Sequence, residues 1–559
     1  MMTTLLQQGV TAQAQARPEA TALVFKGTRL SYGALEESSN RLAHLLKQAG
    51  CRRGDRIGLL MPKMPAAIVA MLGALKADAI YVPMDPASPA ARLARVLEIS
   101  DCRFILAAGS VGQGLRDALA AASLRERPVI GWLDEENVSH NDSVAFTSRD
   151  LAACPATLPA SANAGNDVAH ILFTSGSTGL PKGVMITHAS VVHLIRWAHA
   201  YFGVSAADRI SQHPPLRFDV STLDIFGTLW AGAELHLVPP ELNLLPHKLA
   251  QLIRDARLTQ WFSVPSVLNL MANFDVVGQD DFPFLRRVLF AGEVLPTPTL
   301  IHWMKRLPHV QFTNLYGPTE TTIVSSYYPV PRCPDDDRQS IPIGTACDGE
   351  ELLILDDRLL PVIPGQVGDL YIRGVGLSPG YWRDLEKTRS AFLPYPGGVG
   401  PQDRVYRTGD LACRGADGQY YFVGRADTQI KSRGYRIELG EIEAALNSLP
   451  GLRESAVVAI RSEGFEGWLI CCAYAAADGH VSADSLRKGL AQLVPGYMLP
   501  ARWARYDSLP KNDSGKCDRP RLKEDFLASE SRPDRKTEAT LPASAGRPQR
   551  ISSAESIQT

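Results

Sequence analysis

A run of glycines, hydroxyl side chains and one lysine at residues 174–183 has the composition of a loop that binds oxyanions. Glycines let backbone N–H groups approach an anion closely, Ser and Thr donate hydrogen bonds, and Lys182 supplies a positive charge. The apolar residues 168–173 before the run predict a buried strand, and residues 189–202 have the spacing of an amphipathic helix. A strand, a glycine loop and a helix in this order are typical of a phosphate-binding site.

The same run does not fit a Walker P-loop, and a flexible linker is the less favoured alternative. The Walker motif requires Gly-Lys-Ser/Thr, whereas here the order is Pro181-Lys182-Gly183 and no hydroxyl follows for Mg²⁺. Gly/Ser runs are often linkers, but an apolar strand leads into this one and a helical pattern follows it. The side chains and amides that we expect to contact phosphate belong to Thr174, Ser175, Gly176, Ser177, Thr178, Gly179 and Lys182.

Composition restricts the class of protein further. The 559 residues are 45% hydrophobic and 21% charged, which predicts a globular chain with more than one core. Lys and Arg number 58 and Asp and Glu 59, so neither a nucleic acid nor a membrane is expected as a partner. The nine cysteines include no CxxC pair, which argues against a disulfide framework and a zinc site. We see no targeting or transmembrane segment and expect a cytoplasmic monomer.

The apolar runs divide the chain into two folded parts. Strand-like runs alternate with helical patterns through most of the first 420 residues, which predicts α/β layers with largely parallel sheets. The elements then become shorter, as in a small α+β domain, and the last residues are polar with few apolar side chains. We therefore predict an N-terminal core at 1–426, a C-terminal subdomain at 427–528 and a disordered tail at 529–559.

Three further motifs stand downstream of the loop: Asn-Leu-Tyr-Gly-Pro-Thr-Glu at 314–320, Tyr-Arg-Thr-Gly-Asp-Leu at 406–411 and a Gly-Lys-containing segment at 509–519. With the glycine loop, they resemble the motifs of adenylate-forming enzymes, which comprise acyl-CoA synthetases, luciferases and the adenylation domains of nonribosomal peptide synthetases. The resemblance covers roughly residues 15–525. It implies a large α/β domain of stacked sheets and helices, a small mobile α+β domain, and ATP and Mg²⁺ as cofactors.

The resemblance also implies a role for each nucleotide-binding residue. Tyr316 is expected to flank adenine, since an aromatic ring beside Gly-Pro is a rigid platform. Thr319 is expected to contact the α-phosphate, and the Glu320 carboxylate to bind Mg²⁺. Asp410 is expected to accept hydrogen bonds from the ribose hydroxyls. The remaining nucleotide ligands by resemblance are Asn314, Gly317, Phe422 and Arg425.

Three residues of the predicted small domain complete the machinery by resemblance. Lys516 is expected to bridge the substrate carboxylate and the α-phosphate during transfer, although Lys511 lies close to it in sequence. Its motif departs from the family at Ser514 and Cys517. Asp427 is expected to be the hinge, and Gly434 to line the pantetheine tunnel of the second half-reaction.

The acid to be activated is indicated by Asp219, in the sequence Phe-Asp-Val-Ser at 218–221. This segment resembles the motif in which peptide-synthetase adenylation domains pair an Asp with the α-ammonium of an amino acid, and a buried carboxylate favours such a cation. The acyl pocket, assigned by family position, consists of Asp219, Val220, Leu223, Ser263, Leu289, Ala291, Leu315, Ile323, Val324 and Lys516. Its few polar groups favour a small or medium neutral amino acid. The set is most similar to free-standing prolyl adenylation enzymes, but Ser263 replaces a bulkier residue there, so alanine and serine remain alternatives.

The sequence thus predicts an AMP-forming amino acid–carrier protein ligase of secondary-metabolite or antibiotic biosynthesis. We find no carrier-domain motif with a phosphopantetheine serine and no condensation motif, so we expect a stand-alone enzyme that loads a separate holo-peptidyl carrier protein. An acid–CoA ligase of the same fold is one alternative, and a catalytically silent binding module is another. The intact Lys182, Glu320, Asp410 and Lys516 argue against the silent module.

Overall fold

The protein has a large N-terminal part and a smaller C-terminal part. The computed structural model describes residues 4–134, 144–176, 179–398, 400, 403–461, 467–476, 481–512 and 516–530. The N-terminal part holds a nine-stranded, a seven-stranded and a five-stranded sheet, and the C-terminal part holds a two-stranded and a three-stranded sheet. The predicted α/β class, with a large domain and a smaller second one, is confirmed.

The seven-stranded sheet carries the glycine loop at one edge. All of its neighbouring strands are parallel except the last pair, which is antiparallel. The two strands beside its middle strand, Ile80–Met84 and Phe104–Ala107, are buried at every residue, as expected for parallel strands that are covered on both faces. The spatial order of the strands is Phe146–Thr147, Val129–Trp132, Phe104–Ala107, Arg56–Leu60, Ile80–Met84, Val168–Thr174 and Lys182–Thr187.

The nine-stranded sheet carries most of the predicted acyl pocket. Its middle strands are parallel, and antiparallel strands close both edges. Their spatial order is Thr345–Ala346, Ser326–Pro329, Gln311–Tyr316, Arg287–Ala291, Gln260–Ser263, Arg209–Gln212, Glu234–Leu237, Thr21–Phe25 and Thr28–Ser31.

The remaining sheets are smaller and mostly antiparallel. The five-stranded sheet was not anticipated, because the sequence predicted alternating helices and strands up to about residue 420. It consists of Glu350–Leu355, Gly368–Gly374, Arg404–Arg414, Phe392–Pro394 and Tyr420–Arg425. In the C-terminal part, Gln429–Ser432 pairs with Tyr435–Glu438, and the three-stranded sheet contains Leu452–Arg461, Trp468–Ala476 and Arg502–Arg505.

The helices cover these sheets, and local signals set their ends. The helix that follows the glycine-loop hairpin begins after Thr187, whose side chain accepts from the Ser190 N–H, and ends at Gly203 with φ 62°. The α-helices are Leu6–Ala16, Tyr32–Gln48, Pro65–Lys76, Ala90–Ser100, Gly112–Ala121, His188–Phe202, Val220–Thr222, Thr228–Ala231, Pro246–Asp255, Pro265–Asn273, Thr297–Arg306, Leu385–Ala391, Leu439–Asn447, Ala483–Leu490 and Arg519–Glu530. Short 3₁₀ helices cover Ser148–Ala153, Pro240–Leu242, Thr319–Thr321 and Gly496–Met498, and Leu223–Gly227 is a π-helix.

The glycine loop connects two antiparallel strands, which corrects the predicted order of strand, loop and helix. Val168–Thr174 and Lys182–Thr187 pair directly, and the helix begins only at His188. Lys182 is therefore a strand residue. The loop cannot present an anion to the N-terminus of that helix, so binding of phosphate there depends on loop amides, hydroxyls and Lys182.

Two other expectations concern the boundaries and the membrane. The boundary predicted after residue 426 falls between the strands Tyr420–Arg425 and Gln429–Ser432. Residues 529 and 530, assigned to the tail, end the helix Arg519–Glu530, and 531–559 lie outside the described residues. Within the part of the chain that the structure describes, no helix has both the length and the apolar character needed to span a bilayer.

Candidate active site

The glycine loop brings a hydroxyl and a lysine together across its hairpin. Thr174 and Lys182 are register partners, and Thr174 Oγ1 is buried without a hydrogen-bond partner among the described residues. A Cβ atom at Gly176 would lie 2.1 Å from the Leu180 carbonyl oxygen, so only glycine permits this close turn. The orphaned hydroxyl beside an ammonium group is suited to a phosphate oxygen. Ser177 and Thr178, also predicted here, lie outside the described residues.

Glu320 is the centre of a buried cluster of charges. Its Oε1 atom lies 3.2 Å from Lys182 Nζ and accepts from the Tyr381 hydroxyl at 2.9 Å. Arg436 Nη1 donates to both oxygens of Glu320, at 3.1 and 2.8 Å. Burial alone would raise the pKa of Glu320, but Arg436 and Lys182 hold it far below its usual range. Glu320 is therefore a carboxylate that attracts cations.

Tyr316, Asp410 and Arg425 form a second buried network, where the nucleoside is expected. The Tyr316 hydroxyl donates to Asp410 Oδ2 at 2.6 Å, and Arg425 Nη1 donates to Asp410 Oδ1 at 2.6 Å. The Lys431 ammonium lies 5.5 Å from the centre of the Tyr316 ring. The structure thus places an aromatic ring and a carboxylate from separate motifs in one network. The sequence could only suggest that these two groups lie close together.

Three further predicted nucleotide ligands border this network. Phe422 is half-buried and packs against the apolar cluster that contains Tyr316. Asn314 Nδ2 donates to the Pro342 carbonyl oxygen at 2.7 Å, which fixes its side chain within the protein. A Cβ atom at Gly317 would lie 2.5 Å from the Ile323 carbonyl oxygen, so the two segments approach too closely for a larger residue.

Most of the predicted acyl-pocket residues form one apolar cluster. The strands of the nine-stranded sheet contribute Leu289, Ala291 and Leu315 to one face, and Val220 packs against them. An aromatic group on the same cluster includes stacked rings of Trp197 and Tyr201, whose centres are 5.6 Å apart. The predicted residues in this cluster are Val220, Leu223, Leu289, Ala291, Leu315, Ile323 and Val324.

The Ser263 hydroxyl faces away from this cluster, which corrects one predicted pocket residue. Its hydroxyl accepts from Trp261 Nε1 at 2.9 Å, and Trp261 belongs to the core on the other face of the sheet. Phe262 instead packs in the pocket cluster and is the register partner of Leu289. Because side chains alternate along a strand, moving the assignment by one residue changes the face. The pocket therefore has a phenyl ring where a hydroxyl was predicted.

Asp219 adjoins the pocket with one oxygen held by Thr319. The Thr319 hydroxyl donates to Asp219 Oδ2 at 2.7 Å, and the Val220 N–H donates to Oδ1 at 2.7 Å. No ion pair joins Asp219 to a cation in the part of the chain that the structure describes. Burial raises the pKa of Asp219, because its charge has lost water without gaining an adjacent cation. An ammonium group on a ligand would supply that cation.

One wall of the pocket has an unusual backbone. Thr322 and Ile323 have φ angles of 59° and 75°, although both are β-branched residues. Side chains of this kind rarely occupy the left-handed region, and such strain persists only where surrounding contacts enforce it. Ile323 is almost fully buried in the pocket cluster, so the strained turn presents its side chain to that site.

The C-terminal part contacts the site through Gly434 and its neighbours. The Gly434 N–H donates to Glu293 Oε1 at 2.8 Å, and a Cβ atom there would lie 2.7 Å from Val264 Cγ1. Its φ of 78° also favours glycine. Ser175 Oγ donates to the carbonyl oxygen of Arg436 at 2.7 Å, so the glycine loop also touches this part.

Two other predicted C-terminal residues occupy different positions. Asp427, the predicted hinge, accepts two hydrogen bonds from Arg425, at 2.7 and 2.6 Å. Lys516 is exposed, and its backbone pairs with Asn512. Among the described residues, Lys516 forms no hydrogen bond or ion pair with the N-terminal part. The structure therefore presents Gly434 to the site and leaves Lys516 outside it.

The structure adds four residues to the site that the sequence motifs did not indicate. Arg436 lies in the segment that contains Gly434, so its basic side chain was visible in the sequence, but nothing local indicated its contact with Glu320. Tyr381 and Glu293 belong to segments without a recognised motif. Phe262 could have been found from the alternation of side chains along the strand. Trp261 is too large to face a small substrate, so the next residue, Phe262, is the one expected on the pocket face.

Glu320 also fits a magnesium ion. Mg²⁺ binds hard oxygen ligands and commonly uses one or two protein carboxylates together with substrate phosphates and waters. Glu320 supplies a carboxylate, and the orphaned Thr174 hydroxyl lies across the hairpin from Lys182, which also contacts Glu320. Within the described residues, no group of three or more His, Cys, Asp and Glu side chains could hold a metal.

Comparison with known proteins identifies the family. Residues 10–382 match the AMP-binding enzymes, and residues 441–516 match the AMP-binding enzyme C-terminal domain. Bacitracin synthase 3 of Bacillus licheniformis is 35% identical over 92% of this chain and 8% of its own length. Phosphinothricin tripeptide synthetase PhsC of Streptomyces viridochromogenes is 36% identical over 92% of this chain and 45% of its own length. The chain thus spans less than half of the length of these curated relatives.

Solved structures agree with this assignment. The Vibrio cholerae adenylation domain AlmE, solved with glycyl-adenosine-5'-phosphate, has a TM-score of 0.81 at 25% identity, over 94% of this chain and 98% of that one. A nonribosomal peptide synthetase protein with adenylation and PCP domains has a TM-score of 0.75 at 26% identity, over 93% and 84% of the two chains. The chain therefore belongs to the AMP-binding enzymes and is similar in sequence and fold to proteins that contain nonribosomal-peptide-synthetase adenylation domains.

Proposed function

We propose that the protein activates a small neutral amino acid, with L-proline as the first candidate, and transfers it to the phosphopantetheine thiol of a separate carrier protein. The observation that carries this proposal is Asp219. Its carboxylate adjoins an apolar pocket, accepts from Thr319 and has no cation partner among the described residues. A free carboxylic acid would leave that charge unpaired, whereas the α-ammonium of an amino acid would neutralise it.

The first half-reaction joins the substrate carboxylate to the α-phosphorus of ATP and releases pyrophosphate. Mg²⁺ at Glu320 would offset the charge of the triphosphate. Lys182 and the loop amides would hold the leaving pyrophosphate, and Asp410 would orient the ribose. Lys516 would bridge the two reacting groups, which requires the C-terminal part to turn so that Lys516 replaces Gly434 at the site.

Proline is favoured by the apolar residues that line the pocket. Phe262 supplies the bulk that the sequence assignment of Ser263 lacked in comparison with prolyl adenylation enzymes. Leu289 and Leu315 lie on the same face as Phe262. These three side chains are apolar, so they offer no charged group that could pair with a polar side chain of the substrate. Alanine fits this space less fully, and serine would bury a hydroxyl there without an evident partner.

A carrier protein is the favoured acceptor because of the segment around Gly434. The backbone of Gly434 reaches Glu293 beside the site, and the family resemblance assigns this segment to the pantetheine tunnel. One structural neighbour is itself a protein that contains adenylation and PCP domains. The alternative, an acid–CoA ligase, would use the same approach with free CoA.

The test is a pyrophosphate-exchange panel with the twenty proteinogenic amino acids and the full chain. We expect exchange that is strongest with L-proline and weak with charged amino acids. Exchange without preference for small neutral substrates would contradict the pocket assignment. Mass spectrometry of reactions with ATP, proline and either a holo-carrier protein or CoA then identifies the acceptor, because only the true acceptor gains the mass of a prolyl group.

A further inference from the structure

Both carboxylate oxygens of Glu320 are occupied by protein cations and a hydroxyl, although Glu320 also suits a magnesium ion. Arg436 is the only partner that donates to both oxygens among the described residues, and it comes from the C-terminal part. Glu320 itself is completely buried. Since Arg436 Nη1 lies 2.8 Å from Oε2, the positive charge of Arg436 opposes the binding of a metal ion at that oxygen.

We propose that Arg436 and magnesium pyrophosphate bind Glu320 alternately, so that departure of the leaving group allows Arg436 to fix the C-terminal part in the arrangement that presents Gly434 to the site. Arg436 is then a positioning residue, because it acts on the second half-reaction through the placement of Gly434. This inference rests on the proposed function, since it takes Glu320 as the magnesium ligand.

The surroundings of Arg436 support an exchange of one cation for another. Its carbonyl oxygen accepts from Ser175 in the glycine loop, so Arg436 is bonded to the segment that is expected to hold pyrophosphate. Gly179 on the same loop lies against Ala444 of the C-terminal helix Leu439–Asn447, and a Cβ atom there would approach to 2.8 Å. The loop that holds the leaving group and the C-terminal part therefore use the same surface.

Other contacts across the boundary do not involve the metal ligand. Arg92 pairs with Glu441, and Arg217 lies 5.4 Å from the centre of the Tyr435 ring. These contacts would strengthen the same arrangement without sensing magnesium. Arg92 is therefore a matched control, because its loss weakens the contact between the two parts but leaves Glu320 and Arg436 intact.

The experiment measures hydrogen–deuterium exchange of the backbone amides in Tyr435–Glu438 and Leu439–Asn447, using the full chain. Wild type, Arg436→Gln and Arg92→Gln are each compared without additions, with pyrophosphate and EDTA, and with magnesium pyrophosphate. In wild type we expect magnesium pyrophosphate to speed exchange roughly tenfold, and metal-free pyrophosphate to have little effect. Arg92→Gln should exchange faster at the start but keep the magnesium response, whereas Arg436→Gln should lose the response.

The affinity for magnesium pyrophosphate is a second readout. It should rise in Arg436→Gln if Arg436 competes with the metal and fall if Arg436 binds phosphate. Calorimetric titration should show magnesium pyrophosphate binding about tenfold more tightly to Arg436→Gln than to wild type, because the competing cation is gone. If Arg436 were simply a phosphate ligand, the same variant would bind more weakly. A magnesium response in Arg436→Gln equal to that of wild type, its absence in wild type or in Arg92→Gln, or weaker binding by Arg436→Gln would each overturn the proposal. Pyrophosphate exchange by wild type, measured first, tests the proposed function separately.

Discussion

Replacement of Asp219 by Asn offers a direct test of the substrate class. Asn has nearly the same shape and can still accept from the Thr319 hydroxyl, which lies 2.7 Å from Asp219 Oδ2. The change therefore removes mainly the negative charge. Breaking a buried ion pair typically costs 3–5 kcal/mol. Because the hydrogen bond to Thr319 remains, we expect the lower figure, about 3 kcal/mol, or roughly a 150-fold loss in kcat/KM for proline.

The assay is pyrophosphate exchange with proline and with cyclopentanecarboxylic acid, which has no α-ammonium. Asp219→Asn should lower exchange with proline by roughly 150-fold and exchange with the des-amino acid by less than about threefold. Asp224→Asn is the matched control, because Asp224 is buried nearby and burial raises its pKa well above the usual range. It should leave both substrates unaffected. Equal losses with both substrates in Asp219→Asn would refute the pairing with an α-ammonium.

Four further changes test other parts of the site and the fold. Phe262→Ala should raise the KM for proline about tenfold and admit larger amino acids, whereas Ser263→Ala should leave the KM and the range of accepted amino acids unchanged. Steady-state exchange kinetics with each variant measure these two properties. Lys516→Ala should nearly abolish exchange while its melting temperature stays within about 1 °C of wild type, because the side chain is exposed. Gly434→Ala should slow thioester formation far more than exchange, since φ is 78° and Val264 is close; comparable losses in both assays would contradict this. Burial raises the pKa of Glu350 from 4.5 to about 8, so folding favours its protonated form and stability falls as pH rises between these values. Glu350→Gln should therefore be more stable than wild type in urea unfolding at pH 7 by about 3 kcal/mol, with little difference near pH 4.5.

The strands of the parallel sheets could be predicted because their burial leaves a clear pattern. Residues 104–107 are a continuous apolar run and 168–173 are apolar except for His170, and the structure has strands at Phe104–Ala107 and Val168–Thr174. The strand Lys182–Thr187 was missed, because a lysine and a glycine at its start resemble a continuation of the loop. The amphipathic helix after it was found, since the period of its apolar residues is unambiguous.

The site was predictable where short motifs fix their own geometry. Tyr316 and Asp410, from separate motifs, do form one hydrogen-bonded network. Ser263 shows the limit of transfer by position, because a shift of one residue on a strand selects the opposite face. The contact between Arg436 and Glu320 could not be predicted, since it joins residues 116 positions apart and depends on how two folded parts meet.

Because Lys182 lies on a strand, its contribution to the affinity for phosphate is separate from the rates at which ATP enters and pyrophosphate leaves the site. A charge at the tip of a glycine loop would have to be ordered each time a nucleotide bound, at a cost in conformational entropy. Here the ladder between Val168–Thr174 and Lys182–Thr187 fixes the backbone of Lys182, and its ammonium group already lies 3.2 Å from Glu320 Oε1. Substitutions in the intervening loop should therefore alter how fast ATP enters and pyrophosphate leaves, while the electrostatic contribution of Lys182 persists. The two properties can be engineered independently.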